Sequence, residues 1–201
     1  MLKFLFFIVL AYFLGAIPNG VWIGKKVKGI DIREHGSKNT GATNALRVLG
    51  PKLGGIVFLG DVLKGLLPVF LANRFGINGI NLLLVGVVAI LGHSFSCFID
   101  FKGGKGVATS LGVFLYLVPT VTIVALLSFA VVVYLTRYVS LGSIIAAAVL
   151  PIMTIFMPLG HGLERTPMVI VTSIVGLFVI YKHKSNIVRL LNGTENKLKR
   201  R

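Results

Sequence analysis

The chain has 201 residues, of which 55% are hydrophobic and only 13% are charged. A soluble domain of this length cannot bury so many apolar side chains, so the composition excludes a soluble fold and indicates a membrane protein with several spans. The 21 basic residues outnumber the 6 acidic ones, and no hydrophilic domain is present to carry them, which favours anionic lipid or phosphorylated substrates over nucleic acid as partners. The single cysteine, Cys97, excludes an internal disulfide and a cysteine-based metal site.

Apolar runs of about 17–25 residues, the length that crosses a bilayer as one helix, recur along the whole chain. The first is interpreted as an uncleaved span and not as a signal peptide, because several more apolar runs follow it. We predict spans at Leu2–Gly24, Leu53–Phe75, Ile80–Phe101, Leu141–Leu159 and Pro167–Tyr181.

The run Val107–Leu135 is too long for one upright helix. Pro119 lies near its middle, and a proline interrupts a helix because it lacks the N–H group and clashes with the preceding turn. We therefore predict two short spans, or a re-entrant pair, that meet at Pro119. The chain then has about seven transmembrane helices. With no internal repeat or linker, it is predicted to be a single all-α domain over residues 1–201.

The basic residues indicate which way the chain crosses the membrane. With this number of spans, most of them fall on one side, in a first polar segment (25–52), a second polar segment (100–106) and a tail (182–201). Basic loops are typical of the cytoplasmic side, so the N-terminus is predicted outside and the C-terminus inside. Reading Val107–Leu135 as one span would place the basic tail outside, against this rule.

Two charged residues, Asp61 and Lys64, lie inside the second predicted span. Their spacing of i, i+3 puts them on one helix face, and each is costly in hydrocarbon unless it is paired or faces a polar cavity. Two interpretations remain open, a structural ion pair and a wall of the active site.

The first polar segment contains "REHGSKNTGATNALRVLG", in which hydroxyl and amide side chains alternate with glycines. Such a stretch turns easily and offers many hydrogen-bond donors. Arg47 follows Asn44 by three residues on a predicted helix, and a guanidinium group binds phosphate through two hydrogen bonds. The alternative is a turn and helix cap without a ligand.

The second polar segment leads into the glycine-rich loop, Gly103–Thr109. Glycines allow backbone N–H groups to turn toward a ligand, and the helix predicted to begin near Val107 adds unpaired donors. Lys105 supplies a charge and Thr109 a hydroxyl, so the loop is predicted to be a phosphate cradle. It differs from a Walker A loop because Gly106 follows the lysine where Ser or Thr belongs. An interfacial turn with lysines that extend to the headgroups is the alternative.

The tail opens with His183 and Asn186 immediately after the last predicted span. Ile187 and Leu190 predict an amphipathic helix on the membrane surface, which Gly193 ends. The basic residues here fit lipid headgroups. His183 and Asn186, spaced i, i+3, either point together at a substrate or have no special role.

Together the three polar stretches resemble the bacterial acyl-phosphate:glycerol-3-phosphate acyltransferase family, PlsY. The motifs are "HGSKNTGATNALRVLG" (35–50), "GHSFSCFIDFKGGKGVAT" (92–109) and "HKSNIVRLLNGTE" (183–195), with smaller echoes in "GAIPNG" (15–20) and "DVLKGLLPV" (61–69). Two residues depart from the family pattern. Lys38 stands where many members have glycine, and Ser96 stands where a proline commonly follows the phenylalanine.

The resemblance implies a multi-pass enzyme of the bacterial plasma (inner) membrane with its active site on the cytoplasmic side. It would transfer an acyl chain from acyl phosphate to the 1-hydroxyl of glycerol 3-phosphate, giving lysophosphatidate and phosphate, the first step of phospholipid synthesis. No metal or other cofactor is expected. Because acyl phosphate is already activated, no covalent enzyme intermediate is expected either.

The resemblance also implies roles for individual residues. The glycine-rich loop, Ser37 and the turn Asn39–Asn44 are assigned to the acyl phosphate. The residues assigned to glycerol 3-phosphate are Arg47, Lys105, His183 and Asn186. For the general base, His183 and the phosphate of the acyl donor remain alternatives, and the phosphate is favoured. The predicted catalytic residues are Ser37, Arg47, Lys105, His183 and Asn186; the predicted substrate-binding residues are Asn39, Gly41, Thr43, Asn44, Gly103, Gly104, Gly106 and Thr109.

Other functions fit the residues less well. None of His35, His93, His161 and His183 has an aspartate five residues on, which excludes the His-x4-Asp mechanism of other glycerolipid acyltransferases. The scattered acidic residues argue against a two-metal carboxylate site. A membrane transporter of organophosphates or other anions is the alternative, but the polar motifs gather on one face and no paired broken helices are evident.

Overall fold

The computed structural model of the protein describes residues 1–159 and 163–198, and within these residues it is all-helical with no strand. This confirms the predicted all-α class. His161 and the last three basic residues of the tail lie outside the described residues. The helices are α1 Leu2–Ala16, α2 Asn19–Lys28, α3 Ala42–Leu49, α4 Pro51–Arg74, α5 Gly79–Ser94, α6 Val107–Leu117, α7 Pro119–Thr136, α8 Val139–Phe156, α9 Arg165–Lys182 and α10 Lys184–Leu191, with a 3₁₀ turn at Cys97–Ile99.

Five of the described helical stretches are long and apolar enough to cross a membrane, which are α4, α5 with its 3₁₀ turn, α7, α8 and α9. The pair α1 and α2, bent by 43°, adds a sixth if it counts as one span. The chain is therefore a multi-pass membrane protein. A seventh span requires α6, an apolar helix of 11 residues, so the count of about seven and the direction of crossing stay predictions.

Prolines mark the two main breaks. The break predicted at Pro119 is confirmed, because α6 ends at Leu117 and Pro119 is the first residue of α7. A proline suits this position because the first N–H group of a helix has no intrahelical acceptor. The first span, predicted as continuous over Leu2–Gly24, is instead broken at Ile17 and Pro18. The sequence "GAIPNG" contained this signal, but the surrounding apolar run obscured it.

The residues Met1–Tyr116 form one compact unit. In it α1 packs against α4 and α5, and α2 and α3 pack on α4. Close helix approach depends on glycines, as is typical of membrane helices. A Cβ atom on Gly15 would meet the backbone of Ala89, and one on Gly65 would meet the backbone of Thr109. The short helix α6 is thus in contact with α4 without space for a methyl group.

A hydrophobic cluster inside this unit joins the two polar segments. Its buried members come from α2, the first polar segment, α3, α4 and the 3₁₀ turn, and are Val21, Ile32, Ala45, Leu49, Val57 and Ile99. Ile32 is completely buried and Ile99 nearly so. Because Ile99 directly precedes the second polar segment, the cluster holds the two segments in one packed region.

The residues Leu117–Arg201 form a second compact unit. Helix α8 packs between α7 and α9, and α10 contacts α8 and α9. The guanidinium group of Arg165 donates hydrogen bonds to the carbonyls of Thr154, Ile155 and Met157 and so closes the C-terminal end of α8. The prediction that the whole chain is a single domain stays a prediction.

Candidate active site

Asn44 organises the loop of the first polar segment. It lies on α3 with a 2% exposed fraction. Its side-chain N–H groups donate to the carbonyls of Ile32 (2.7 Å), Asn39 (2.9 Å) and His35 (3.1 Å), and its side-chain oxygen accepts from the backbone N–H of Ser37 (2.8 Å). An amide has two N–H bonds, so both are engaged with the backbone. The observed contacts shape the loop, and direct binding of substrate by Asn44 stays a prediction.

The rest of this loop is a series of tight turns. The side-chain oxygen of Asn39 accepts from the backbone N–H of Gly41 (2.9 Å), and Gly41 is the N-cap of α3. Lys38 has φ of 56°, a left-handed conformation that favours glycine. Around these turns Ser37 is exposed, Asn39, Gly41, Thr43 and Arg47 are half-buried, and Asn44 is buried.

Arg33, although basic and close to the predicted site, is held by Asp31. Its guanidinium group donates to both carboxylate oxygens at 2.7–3.2 Å, and Lys25 lies 3.2 Å from the same carboxylate. The hydrogen bonds from Arg33 hold the pKa of Asp31 well below its usual range, and Asp31 in turn raises the pKa of Arg33. The other arginine of this segment is Arg47, in the last turn of α3, and its contact with phosphate stays a prediction.

The glycine-rich loop folds back onto the end of α5. The backbone N–H of Gly103 donates to the carbonyl of Ser94 (3.2 Å) and that of Gly104 to the carbonyl of His93 (3.1 Å). A Cβ on Gly103 would overlap that carbonyl of His93, and one on Gly104 would overlap its imidazole ring. These glycines are therefore required for close approach, and their N–H groups bond to α5. The donors that remain for a phosphate lie at the start of α6, whose first N–H groups lack intrahelical acceptors.

Buried hydroxyl groups lie around the start of α6. Gly106 has φ of 82°, and a Cβ on it would be 3.5 Å from the hydroxyl oxygen of Ser94 and 3.9 Å from that of Ser110. Among the described residues, the hydroxyls of Ser94, Thr109 and Ser110 are buried and have no hydrogen-bond partner. The Thr109 hydroxyl is thus in the first turn, as expected, but its exposed fraction is 0%. Lys105 is half-buried on the same loop.

The first and second polar segments are close to one another in the first unit. Ile99 and Ile32 share the hydrophobic cluster described above. The negative charge of Asp100 contributes to raising the pKa of Arg33, which also requires the two segments to be near each other. The structure therefore brings together the loop organised by Asn44 and the loop that follows Asp100.

In the second unit, His183 lies at the junction of α9 and α10 and is 3% exposed. Its Nδ1 atom is 2.8 Å from the carbonyl oxygen of Val179. Because a carbonyl only accepts, Nδ1 carries the proton, and in the neutral imidazole Nε2 is then the acceptor. This is the tautomer that a histidine general base needs.

A buried carboxylate, Glu195, organises the tail. It accepts from the side chains of Asn186 (2.9 Å), Arg189 (2.7 Å) and Ser140 (3.1 Å). Burial raises the pKa of Glu195, but these three hydrogen bonds outweigh burial, so its pKa lies below the ordinary value. Sequence reasoning gave Glu195 no role. The signal that could have identified Glu195 was its position in the third motif, where it is the only acidic residue of the tail.

The described residues contain no group of three His, Cys, Asp or Glu side chains that could hold a metal ion. The absence of a cofactor stays a prediction. The side chains of the predicted site residues carry amide, hydroxyl, guanidinium, ammonium and imidazole groups, which suit anionic ligands better than cations.

Comparison with known proteins identifies the family. The family model for glycerol-3-phosphate acyltransferase matches residues 5–193. The chain belongs to the glycerol-3-phosphate acyltransferase family. A glycerol-3-phosphate acyltransferase from Fusobacterium nucleatum subsp. nucleatum is 56% identical over 198 residues, covering 98% of this chain and 100% of that relative. Another from Bacillus subtilis (strain 168) is 47% identical and covers 96% of each chain.

Two solved structures of an integral membrane glycerol 3-phosphate acyltransferase, PlsY, have the same fold. Its glycerol 3-phosphate form is 40% identical with a TM-score of 0.89, covering 98% of this chain and 96% of that one. Its lysophosphatidic acid form is 39% identical with a TM-score of 0.87, covering 98% and 95%. The resemblance to the glycerol-3-phosphate acyltransferase family is thereby confirmed over nearly the whole chain.

Both departures from the family pattern have a visible structural consequence. Lys38 adopts the left-handed conformation in which a glycine is unstrained. Ser96 has φ of −71°, a value that proline also adopts, and its hydroxyl donates to the carbonyl of Ala16 and accepts from the N–H of Phe98 (3.3 Å). In this glycerol-3-phosphate acyltransferase the serine adds hydrogen bonds where a proline would add stiffness.

Proposed function

We propose that this protein transfers an acyl chain from acyl phosphate to the 1-hydroxyl of glycerol 3-phosphate, giving lysophosphatidate and inorganic phosphate. The observation that carries the proposal is the likeness to PlsY, 40% identical over 98% of this chain, in its glycerol 3-phosphate form. The second PlsY structure is the lysophosphatidic acid form, which is the product of the proposed reaction. These names favour an acyltransferase over the alternative of an anion transporter.

The chemistry of the reaction fits the polar groups. The glycerol hydroxyl oxygen attacks the carbonyl carbon of acyl phosphate, and the bond from that carbon to the phosphate oxygen breaks. Phosphate leaves with the bonding electrons, and the hydroxyl proton passes to a base. Because phosphate is a good leaving group, the protein chiefly orients two anions and stabilises the developing negative charge.

In the first unit, the proposal gives the acyl phosphate to Ser37, the turn Asn39–Asn44 and the start of α6. The side-chain contacts of Asn44 support a fixed loop conformation around Ser37. Arg47 and Lys105 supply positive charge for glycerol 3-phosphate, because a guanidinium group binds phosphate through two hydrogen bonds and Arg33 is already paired with Asp31. Gly103 and Gly104 act through close packing on α5.

In the second unit, the proposal gives His183 and Asn186 to glycerol 3-phosphate. The bond from Nδ1 of His183 to the carbonyl of Val179 supports a proton-accepting Nε2. The departing phosphate is the other candidate base and remains favoured, because it is formed beside the reacting hydroxyl. A His183→Ala variant separates them: a pH-rate profile that loses an ionisation assigns the base to His183, and an unchanged profile assigns it to the phosphate.

The proposed location is the bacterial inner membrane, with the active site on the cytoplasmic side. The distribution of basic residues supports this side, since Lys25, Lys26 and Lys28 end α2 and Lys182 ends α9. Membrane lipid would take up the acyl chain of the product.

The test is a direct assay of the purified protein. The protein is incubated with palmitoyl phosphate and glycerol 3-phosphate without added metal, and lysophosphatidate and free phosphate are measured. The expected result is one phosphate released per lysophosphatidate formed, and none without glycerol 3-phosphate. Phosphate release that does not require glycerol 3-phosphate, or no product at all, would contradict the proposal.

A pair of arginine variants makes the test specific. Arg47→Gln is expected to lower kcat/KM by at least about 100-fold, because a charged hydrogen-bond partner of the substrate is lost. Arg33→Gln, the same change on the arginine that Asp31 already holds, is expected to retain activity within about threefold. Equal losses in the two variants would argue against the assignment of Arg47.

A further inference from the structure

A buried cluster of charged and polar side chains lies beside the break between α1 and α2. Asp61 and Lys64 of α4 form an ion pair at 2.9 Å, with exposed side-chain fractions of 2% and 5%. The amide of Asn19 donates to the same carboxylate oxygen at 3.0 Å. Charges inside a membrane protein are costly and are usually retained for a role beyond stability. The proposed reaction makes no direct use of these three residues.

The cluster holds the ends of the broken helix. Lys64 donates to the carbonyl of Ile17 (2.7 Å), and the hydroxyl of Ser96 donates to the carbonyl of Ala16. The break at Ile17 and Pro18 leaves these carbonyls without the donors four residues on that a continuous helix would supply, and membrane lipid offers no donors. Two side chains from other parts of the first unit therefore fix the bend.

The bend in turn positions the first polar segment. Asn19, bonded to Asp61, is the first residue of α2. One turn of α2 lies directly on this segment, since a Cβ on Gly20 would overlap the carbonyl of Thr40. A displacement of the start of α2 would therefore move the turn that begins at Asn39 and leads into α3.

The same carboxylate also faces the glycine-rich loop. The carboxylate of Asp61 lies 4.0 Å from Nδ1 of His93. The other side of that imidazole, at Nε2, occupies the space where a side chain on Gly104 would begin. The carbonyl of His93 also accepts from the N–H of Gly104 (3.1 Å). The glycine-rich loop therefore packs directly on His93, and Asp61 lies near the Nδ1 atom of the same imidazole ring.

We propose that Asp61 and Lys64 are positioning residues that set the distance between the first polar segment and the glycine-rich loop. The inference rests on the proposed function, in which these two stretches bind the reacting substrates. If the pair is removed, each stretch keeps its own internal hydrogen bonds, including those of Asn44, so each still binds its ligand. The relative placement of the substrates changes, and with it the rate of the chemical step.

The decisive variant is Asp61→Asn with Lys64→Met, which removes both charges together. Removing one charge alone leaves the other buried and unpaired, whereas replacing both is often close to neutral for stability. We expect kcat per folded protein to fall by about 10- to 100-fold, because small errors in alignment strongly slow a reaction between bound substrates. The KM values for acyl phosphate and glycerol 3-phosphate are expected to stay within about threefold of wild type.

A milder variant covers the case in which the double variant does not fold. Asn19→Ala keeps the ion pair and removes the hydrogen bond between α2 and Asp61, and kcat is expected to fall by at least about threefold with KM unchanged. Wild-type kcat in the double variant would overturn the proposal. If only Asn19→Ala folds, its wild-type kcat would overturn the proposal in the same way.

The matched control is Arg165→Met. Arg165 also satisfies helix-end carbonyls by side-chain hydrogen bonds, but in the second unit and away from these residues in the chain. The Arg165→Met substitution is expected to lower the unfolding temperature without changing kcat. If Arg165→Met lowers kcat as much as the double variant, loss of stability explains both and the positioning role is wrong. An inactive wild-type protein would instead contradict the proposed function itself.

Discussion

Two polar regions, one in each unit, are each organised by a single buried side chain, but the two side chains differ in charge. The loop of the first polar segment is built around the neutral amide of Asn44, which both donates and accepts. The tail is built around the carboxylate of Glu195, which only accepts, from Ser140, Asn186 and Arg189. An amide keeps its hydrogen bonds at any pH, whereas a carboxylate that becomes protonated turns one oxygen into a donor and loses the charge that strengthens its hydrogen bonds. The hydrogen bonds of Asn44 should therefore be insensitive to acid, whereas those of Glu195 should not.

The largest expected effect comes from Asn44→Asp, which turns the organiser of the first region into an acceptor. The carbonyls of Ile32, His35 and Asn39 lose the donor that Asn44 supplies, and a negative charge is placed beside them. The free energy of unfolding is expected to fall by about 3 kcal/mol, measured by denaturant unfolding in detergent.

Asn78→Asp is the control for that change. Asn78 is exposed and is the N-cap of α5, where aspartate serves as well as asparagine. Its effect is expected within about 0.5 kcal/mol of zero. Equal losses in the two variants would show that the hydrogen bonds of Asn44 do not stabilise the loop.

Glu195→Gln is the corresponding change in the tail and is expected to cost about 2 kcal/mol of unfolding free energy. The glutamine retains one acceptor oxygen, so Ser140 and Asn186 keep a partner, but an N–H group then faces the guanidinium of Arg189. Glu34→Gln, on an exposed side chain, is the control and should change little. A stable Glu195→Gln protein would mean that the tail does not require an ion.

The pH dependence of unfolding distinguishes the two regions directly. The pKa of Glu195 is lowered in the folded protein, so its ionised form stabilises the fold fully above the ordinary pKa. That stabilisation is lost as the pH falls below about 4.3 and through the lower pKa of the folded state. The difference in unfolding temperature between wild type and Glu195→Gln should therefore narrow in acid. For Asn44 variants that remain neutral, such as Asn44→Ala, the difference should not change.

The smallest expected effect comes from a change at Lys38, in the loop of the first polar segment. Lys38→Gly removes the strain of a left-handed lysine but adds freedom to the unfolded chain, so stability is expected to rise by only about 0.5 kcal/mol. Lys52→Gly, the same change within helix α4, is expected to lower stability by about 1 kcal/mol. A loss of stability in Lys38→Gly would show that its side chain contributes more than its backbone costs.

Several features were predictable because they depend on local rules. The run Val107–Leu135 is broken at Pro119, as predicted. The break is a local effect, because a proline lacks the N–H group that would bond to the preceding turn of the same helix. Gly193, with φ of 69°, ends the last helix as predicted. The membrane class followed from composition alone.

Other features depend on contacts that a sequence does not display. Gly103 and Gly104 were predicted to present N–H groups to a phosphate, but those groups bond to α5, because the end of that helix approaches the loop. Glu195 was passed over because its partners, among them Ser140, lie as far as 55 residues away. Of the two interpretations of Asp61 and Lys64, the structure shows the ion pair. The assignments of substrate contacts to individual residues stay predictions.

The spacing of Asp61 and Lys64 has a consequence for how the protein is made. Both lie on α4 and are joined at 2.9 Å across less than one turn. A lone aspartate or lysine at the centre of a helix opposes insertion by the translocon by about 2.5–3.5 kcal/mol. The two can neutralise each other within α4 itself, before Asn19 and Ile17 of the preceding helices are in contact. The middle of the helix can thus enter the bilayer without a net charge and acquire its remaining hydrogen bonds during assembly.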